Sequence, residues 1–239
     1  MAQSFKLLFL ILIILLSGCS ENKDISDKNR LSIFVASSAK EMITEIADDF
    51  KKDKDIQIDI YSTSSGKGYS QLIHGFKYDL YFSADSEYPQ KVYEKGLSEK
   101  PQTYAIGLLA LYSKNPELIK IGILALENDG VVKIAIGNPK LAPYGKLGVE
   151  FLKNSNLYYK IESKLILGAN ISQAVQFVDT GAVEIGIVAI SLLKDKPQNQ
   201  YMKLDTKFYK PMKQNFVVTK YGKTKKLTQE FVEYMKLTK

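Results

Sequence analysis

From residue 31 onward, apolar and polar positions repeat one order of elements: a short strand, a hydroxyl-rich turn and a helix. Residues 56–60 alternate apolar and polar side chains, which is the period of a half-buried strand. Residues 61–69 form a turn rich in serine and glycine, and apolar side chains then recur at helical spacing through residues 69–76. Such a turn directs unpaired N–H groups and the positive end of a helix dipole at one point, which favours an anion. The alternative is a helix that is simply capped by serine.

A second unit of the same kind precedes this one. Residues 31–35 form the predicted strand, Ser37 and Ser38 lie in the turn, and a helix follows with its apolar face at residues 42–50. Ser38 also begins an S-x-x-E pattern with Glu41, so a capping box is the alternative to a role in ligand binding. Two consecutive units of this type predict a cleft at the carboxyl ends of the strands, where α/β proteins bind ligands.

The rest of the chain continues the alternation of strands and helices. Further strands are predicted at residues 78–84, 104–112, 131–136, 184–190 and 216–218, and residues 164–167 form a short apolar segment. Helices are predicted after an N-cap at Asp85, after the turns at residues 142–148 and 170–173, and at residues 227–235. This order favours a mostly parallel sheet with helices on both faces, divided into two lobes by crossings near residues 104–107 and 205–212.

The N-terminus predicts export and attachment to a membrane. An apolar run at residues 7–16 follows Lys6; it is too short to span a bilayer and has the layout of a secretory signal. Residues 16–19, Leu-Ser-Gly-Cys, resemble the bacterial lipobox, which implies cleavage before Cys19 and lipid on its thiol. Cys19 is the only cysteine, so a disulfide within the chain is excluded. We therefore expect a signal peptide over residues 1–18 and a polar tether over residues 19–30.

Composition and charge argue against several classes of function. The formal charge of +7 comes almost entirely from lysine, with Arg30 as the only arginine. An excess of lysine without arginine is untypical of nucleic-acid-binding proteins and is typical of solvent-exposed faces. His74 is the only histidine, so a catalytic triad has one possible histidine base and a histidine metal cluster has no partner. Asp79 and Asp85 flank a predicted strand, but the sequence places no carboxylate pair at glycosidase distance. We therefore expect a protein that is not an enzyme and needs no cofactor.

Taken together, these elements resemble the substrate-binding proteins of molybdate ABC transporters, over residues 31–239. The motifs that carry the resemblance are Ala36-Ser37-Ser38, Ser64-Ser65-Gly66, the run Asp-Leu-Tyr-Phe-Ser-Ala-Asp at residues 79–85, Gly137-Asn138-Pro139, Pro143-Tyr144-Gly145 and the run Asn-Ile-Ser-Gln-Ala at residues 170–174. The resemblance implies an α/β, type II periplasmic-binding-protein fold, with two lobes of mainly parallel sheets flanked by helices and joined by a two-strand hinge. Lobe 1 would comprise residues 31–105 and 210–239, and lobe 2 residues 106–209.

The resemblance also implies an oxyanion site built from neutral donors at helix starts. The groups carried over by motif are the hydroxyl and amide groups of Ser37, Ser38 and Ser65 and the backbone N–H groups of Tyr144 and Ile171. The implied ligand is molybdate or tungstate, whose metal atom is held only as part of the oxyanion. Some family members have a ligating tyrosine directly after the Gly-Ile-Val sequence at residues 186–188, where this sequence has Ala189, so that hydroxyl is missing.

The chemistry of the donor set agrees with this ligand. None of the candidate turns contains arginine. A site made only of donors suits a fully deprotonated dianion, because hydrogen phosphate would leave its own O–H without an acceptor.

A role in transport implies which partners the protein has. We expect a monomer at the periplasm or cell surface, held to a membrane through lipidated Cys19, that passes its small oxyanion to the membrane permease of an ABC importer and does not bind nucleic acid. Two alternatives stay open. One keeps the fold and changes the ligand to sulfate or another oxyanion, and the other is a lipid-anchored adhesin or enzyme that reuses the binding fold.

Overall fold

The computed structural model describes residues 27–238, so the predicted signal peptide and Cys19 lie outside the described residues. Within this range, ten strands form two five-stranded sheets, and eight α-helices accompany them. The strands are β1 (Arg30–Ala36), β2 (Gln57–Thr63), β3 (Leu80–Phe82), β4 (Gln102–Gly107), β5 (Leu109–Tyr112), β6 (Ile134–Gly137), β7 (Leu165–Gly168), β8 (Ile185–Ala189), β9 (Tyr201–Lys203) and β10 (Met212–Val218). The helices are α1 (Lys40–Phe50), α2 (Ser65–Ile73), α3 (Glu87–Glu94), α4 (Pro116–Ile121), α5 (Pro143–Asn154), α6 (Tyr158–Ile161), α7 (Ile171–Asp179) and α8 (Lys226–Leu237). None of these eight helices is long and apolar enough to cross a membrane.

The two sheets define two lobes. The first sheet has the strand order β2-β1-β3-β10-β4, and with helices α1–α3 and α8 we call it lobe 1. The second has the order β7-β6-β8-β5-β9, and with helices α4–α7 we call it lobe 2. Each sheet combines two parallel with two antiparallel pairings, so the sheets are mixed rather than mainly parallel. Every antiparallel pairing involves β10 or β5, because these strands enter their lobe from the hinge and run opposite to the strands that end there.

The chain passes between the lobes twice. Residues 104–112, predicted as one strand, are two: β4 ends at Gly107 in lobe 1 and β5 begins at Leu109 in lobe 2. The return crossing lies between β9 and β10. Gly107 is a point of close approach, since a Cβ atom there would lie 2.6 Å from the Tyr144 hydroxyl oxygen and 2.7 Å from Gln214 Nε2. The two lobes therefore touch each other directly beside the first crossing.

Each face of the lobe 1 sheet has its own apolar core. Side chains of β1 alternate between them: Ile33 and Val35 pack in the core shared with α1 and α8, whereas Phe34 packs against Tyr78 and Tyr81 in the core shared with α2 and α3. This central strand is therefore buried on both faces. Lobe 2 has one larger core centred on β5, β6 and β8.

The two aspartates of the predicted 79–85 strand have structural roles. Asp79 is fully buried, accepts a 2.7 Å hydrogen bond from the Ser32 N–H, and lies 3.2 Å from Lys225 Nζ at the start of α8. Burial raises the pKa of Asp79, and the Ser32 and Lys225 contacts oppose that rise. Asp85 accepts a hydrogen bond from the Tyr88 N–H in the first turn of α3, which agrees with its predicted role as a cap.

The hydrophobic pattern of the sequence did not predict three short elements: α4, α6 and β9. The start of α4 did carry a signal, because the Asn115 side chain accepts a hydrogen bond from the Glu117 N–H and Pro116 occupies the first turn. Helix α6 and strand β9 span only Tyr158–Ile161 and Tyr201–Lys203, which is too short for either hydrophobic period to be evident.

We expect Gly68→Ala to lower the stability of the protein. A Cβ atom at Gly68 would lie 2.2 Å from the Phe34 ring, so α2 could no longer pack closely on β1. Overpacking of this kind costs about 1–3 kcal/mol. The measurement is the midpoint of urea unfolding.

Gly148→Ala is the matched control. Gly148 also lies inside a helix, α5, but its added Cβ would first meet Ile187 Cγ2 at an ordinary 3.7 Å. Replacing this glycine should stabilise the helix by about 0.5–1 kcal/mol. Equal unfolding midpoints for the two variants would contradict the close packing of α2.

Candidate oxyanion site between the lobes

A small cavity of about 10 Å³ lies where the two lobes meet. Its lining residues are Ala36, Ser37, Ser38, Ser64, Ser65, Ala84, Ala142, Pro143, Tyr144 and Ile171. All five positions predicted from sequence for the oxyanion are among them, three from lobe 1 and two from lobe 2. This volume is far below the roughly 300–1,000 Å³ typical of sites for drug-sized ligands, so the lining residues enclose at most a very small ligand.

Ser38 does not form the capping box that its S-x-x-E pattern predicted. The N-cap of α1 is Ala39, and no side chain caps this helix. Glu41 instead pairs with Lys194 of lobe 2, at 3.0 Å. The Ser38 hydroxyl is buried and has no hydrogen-bond partner among the described residues. A buried hydroxyl left in this state is available to a ligand in the cavity.

The second turn contributes two serines. The Ser65 hydroxyl accepts a 3.0 Å hydrogen bond from the Ala84 N–H, and the Ser65 carbonyl accepts a 2.7 Å bond from the Tyr81 hydroxyl. These contacts fix Ser65 while leaving its hydroxyl proton free to donate. Ser64 precedes α2 without capping it, and its buried hydroxyl has no partner among the described residues. Ser64 belongs to the motif Ser64-Ser65-Gly66, but only Ser65 of this motif was predicted to bind the oxyanion.

Two lobe 2 helices begin at the cavity. Tyr144 and Ile171 lie in the first turns of α5 and α7, where backbone N–H groups have no acceptor within their own helix. The start of α7 is shaped by Asn170, whose side chain accepts from the Gln173 N–H at 3.0 Å and so leaves the Ile171 N–H free of that cap. The start of α5 packs so closely on β6 that a Cβ at Gly145 would lie 2.1 Å from the Gly137 carbonyl oxygen.

Ser37 lines the cavity but is also engaged across the lobes. Its hydroxyl accepts a 3.4 Å hydrogen bond from the Ser172 N–H, and its carbonyl accepts a 3.1 Å bond from the Ser172 hydroxyl. Ala189 does not line the cavity. Two residues after it, the Ser191 hydroxyl donates a 3.0 Å hydrogen bond to the Ser38 carbonyl. This region of lobe 2 therefore contacts the backbone of the Ser38 turn and helps to fix its position.

No charged side chain lines the cavity. Two lobe 2 lysines pair with lobe 1 carboxylates: Lys146 with Glu87 at 2.9 Å, and Lys194 with Glu45 at 2.5 Å. Lys67 is exposed, and His74 is exposed at the end of α2. Residues 27–238 also contain no cluster of histidine, cysteine or acidic side chains that could hold a metal ion. Attraction for an anion thus rests on hydroxyls, N–H groups and three helix dipoles.

Comparison with known proteins identifies the family. Residues 31–239 match the family described as bacterial extracellular solute-binding protein. The chain belongs to this family. It is 32% identical over 211 residues to the molybdate-binding protein ModA of Azotobacter vinelandii, covering 86% of this chain and 84% of the relative. It is also 29% identical to the putative ABC transporter substrate-binding lipoprotein YvgL of Bacillus subtilis, covering 93% of this chain and 88% of the relative.

A solved structure supports the same assignment for this solute-binding protein. The Azotobacter vinelandii periplasmic molybdate-binding protein superimposes with a TM-score of 0.80 at 30% sequence identity, covering 86% of this chain and 92% of that one. The predicted type II periplasmic-binding fold and the resemblance to molybdate-binding proteins are therefore confirmed. These relatives are binding proteins, which agrees with the expectation that this chain is not an enzyme.

Alanine substitutions of the three serines at the cavity should have different effects on the free energy of unfolding. Ser38→Ala and Ser64→Ala remove no hydrogen bond within the described protein and each removes a buried, unpaired hydroxyl, so each should leave the free energy of unfolding unchanged or raise it by up to about 1–3 kcal/mol. Ser65→Ala leaves the buried Ala84 N–H without its acceptor and should cost about 1–3 kcal/mol. Urea unfolding in a buffer free of oxyanions measures all three. A loss at Ser38 or Ser64 as large as the loss at Ser65 would mean that these hydroxyls have protein partners.

Proposed function

We propose that this solute-binding protein captures molybdate, and tungstate as well, in the cavity between its lobes and delivers it to the membrane permease of an ABC importer. The observation that carries the proposal is the donor set. Buried hydroxyls of Ser38 and Ser64 lack partners among the described residues, and Tyr144 and Ile171, in the first turns of two helices, line the same small space. The names of the most similar relatives reported above support the same ligand.

The size of the interaction is sufficient for tight binding. A hydrogen bond to a charged group contributes about 1.5–3 kcal/mol. About six of them reach the roughly 12 kcal/mol of nanomolar affinity, after part of the total has been used to close the lobes. Neutral donors therefore suffice for a dianion, and no cationic side chain is needed.

Selectivity follows from the kind of donors and from their spacing. The cavity has no carboxylate that could accept a proton from a ligand, so hydrogen phosphate is disfavoured. Sulfate is deprotonated but smaller, and we expect it to reach fewer donors at good length. Tungstate has nearly the shape of molybdate, so the site should accept both.

Delivery requires that the lobes separate and close. Contacts already join them around the cavity, including the 2.9 Å hydrogen bond from the Gly66 N–H to the Leu141 carbonyl. Only the closed arrangement offers the donors of both lobes at once, so ligand should shift the population toward it. The permease would then recognise the closed, loaded form of a monomer.

Isothermal titration calorimetry of the lipid-free chain tests the proposal. Molybdate and tungstate should bind more tightly than sulfate or phosphate. Ser64→Ala should weaken molybdate about 10- to 100-fold, because a donor to a buried anion is lost. Lys67→Ala, three residues away in the same turn, should change the affinity fivefold or less, since its exposed charge acts weakly.

Two results would count against this assignment. Sulfate or phosphate binding as tightly as molybdate would mean a different ligand for the same fold. Equal effects of Ser64→Ala and Lys67→Ala would mean that charge, rather than the buried hydroxyl, holds the anion.

We also propose that Cys19 is lipidated and holds the protein to a membrane. The Leu-Ser-Gly-Cys sequence and the similarity to a protein named as a lipoprotein support this. Cys19→Ala should move the protein from the membrane fraction to the soluble fraction without changing its oxyanion affinity. Cell fractionation followed by immunoblotting measures the distribution, and retention of the variant in the membrane fraction would contradict lipid anchoring.

A further inference from the structure

Two polar contacts join the lobes beside the oxyanion cavity, one of them between buried side chains. Gln214 of β10, in lobe 1, donates a 2.8 Å hydrogen bond from Nε2 to the hydroxyl of Tyr144, in lobe 2. Ser191 of lobe 2 donates a 3.0 Å hydrogen bond to the Ser38 carbonyl of lobe 1. One contact thus reaches the strand that returns to lobe 1, and the other reaches a turn that lines the cavity.

The Gln214–Tyr144 contact lies at the hinge. The register between β10 and β4 shifts at Gln214, which marks an irregularity in the strand that returns to lobe 1. Gly107, at the end of the other crossing strand, packs against both partners so closely that it has no room for a side chain. Tyr144 and Gln214 are 1% and 5% exposed, so this bond is largely shielded from bulk water.

Tyr144 connects this hinge contact with the ligand site. Its backbone N–H lies in the first turn of α5 at the cavity, and its side chain reaches from there to β10 of the other lobe. The position of the phenol therefore constrains the position of the N–H group.

A second buried tyrosine, Tyr209, differs from Tyr144 in the lobe to which its hydrogen-bond partners belong. Tyr209 is 2% exposed and also lies close to the crossings, and its hydroxyl accepts from the Leu109 N–H at 3.0 Å and donates to the Leu204 carbonyl at 3.4 Å. Both of these partners belong to lobe 2. The two phenols thus have similar burial, but only the phenol of Tyr144 has a partner in the opposite lobe.

We infer that Gln214 and Tyr144 are positioning residues that hold the lobes in the arrangement that completes the oxyanion site. The inference rests on the proposed function, because it assigns these residues to closure around that ligand. When the lobes separate, the hydrogen bond between them breaks. Its free energy therefore favours the closed form, and ligand affinity rises with the closed population.

The test compares four variants with the wild type: Tyr144→Phe, Gln214→Met, the double variant and Tyr209→Phe. Calorimetry gives the affinity for molybdate, tungstate, sulfate and phosphate, and small-angle scattering gives the radius of gyration without ligand. Tyr144→Phe keeps the backbone N–H at the cavity, so any loss of affinity comes from the phenol. Thermal unfolding without ligand reports the purely structural effect of each change.

We expect Tyr144→Phe and Gln214→Met each to weaken the best-bound oxyanion about tenfold, which corresponds to about 1.4 kcal/mol. The double variant should be no weaker than the weaker single variant, because both changes remove one bond. Tyr209→Phe should lower the melting temperature but retain wild-type affinity. If Tyr144→Phe and Gln214→Met behave as Tyr209→Phe does, or if their effects on affinity add fully, the inference is wrong.

Failure of the proposed function gives a different result. In that case the wild type binds none of the four oxyanions, whatever the variants do. Scattering then decides the inference alone: a larger radius of gyration for Tyr144→Phe and Gln214→Met than for Tyr209→Phe supports it, and equal radii overturn it.

Discussion

The main constraint on this structure is a set of buried donors for which the protein itself supplies no acceptor. The hydroxyls of Ser38 and Ser64 are buried without protein partners at the junction of two lobes. Leaving a polar group buried and unpaired costs about 1–3 kcal/mol. Closing the lobes over several such groups is therefore unfavourable unless something in the cavity accepts their hydrogen bonds. Affinity and closure are consequently set by the same atoms.

The geometry of these donors depends on how closely helices approach the sheets. In lobe 1, α2 lies on β1 with Gly68 against the Phe34 ring, and in lobe 2, α5 begins with Gly145 against the carbonyl of Gly137. Both glycines bring a helix start nearer to the end of a strand than any side chain would permit. The candidate oxyanion site is therefore built mainly from backbone positions, with serine hydroxyls added at the turns.

The sequence predicted the local parts of this arrangement well and the long-range parts less well. Strand, turn and helix follow each other as the hydrophobic periods indicate, and the five assigned residues surround one cavity. The S-x-x-E pattern at Ser38 was misleading, because a capping motif in sequence does not determine whether the serine turns toward its own helix or toward another lobe. Gln214 carried no signal, since its partner lies 70 residues away in the chain. The crossing near residues 104–107 was predicted, but the split of residues 104–112 into two strands was not, because the apolar run continues through Leu108 and no turn residue follows Gly107.

The position of β10 has a consequence for the order of folding. Lobe 2 is built from one uninterrupted stretch, from β5 to β9, whereas the lobe 1 sheet needs β10 between β3 and β4. The last strand in the sequence thus occupies an interior place in the first sheet, and it pairs with segments more than 100 residues earlier. Non-local pairings of this kind form slowly, because a long loop must close before they contribute. We therefore expect lobe 2 to fold as a unit first, with lobe 1 and the oxyanion site completed only after the C-terminal segment has docked.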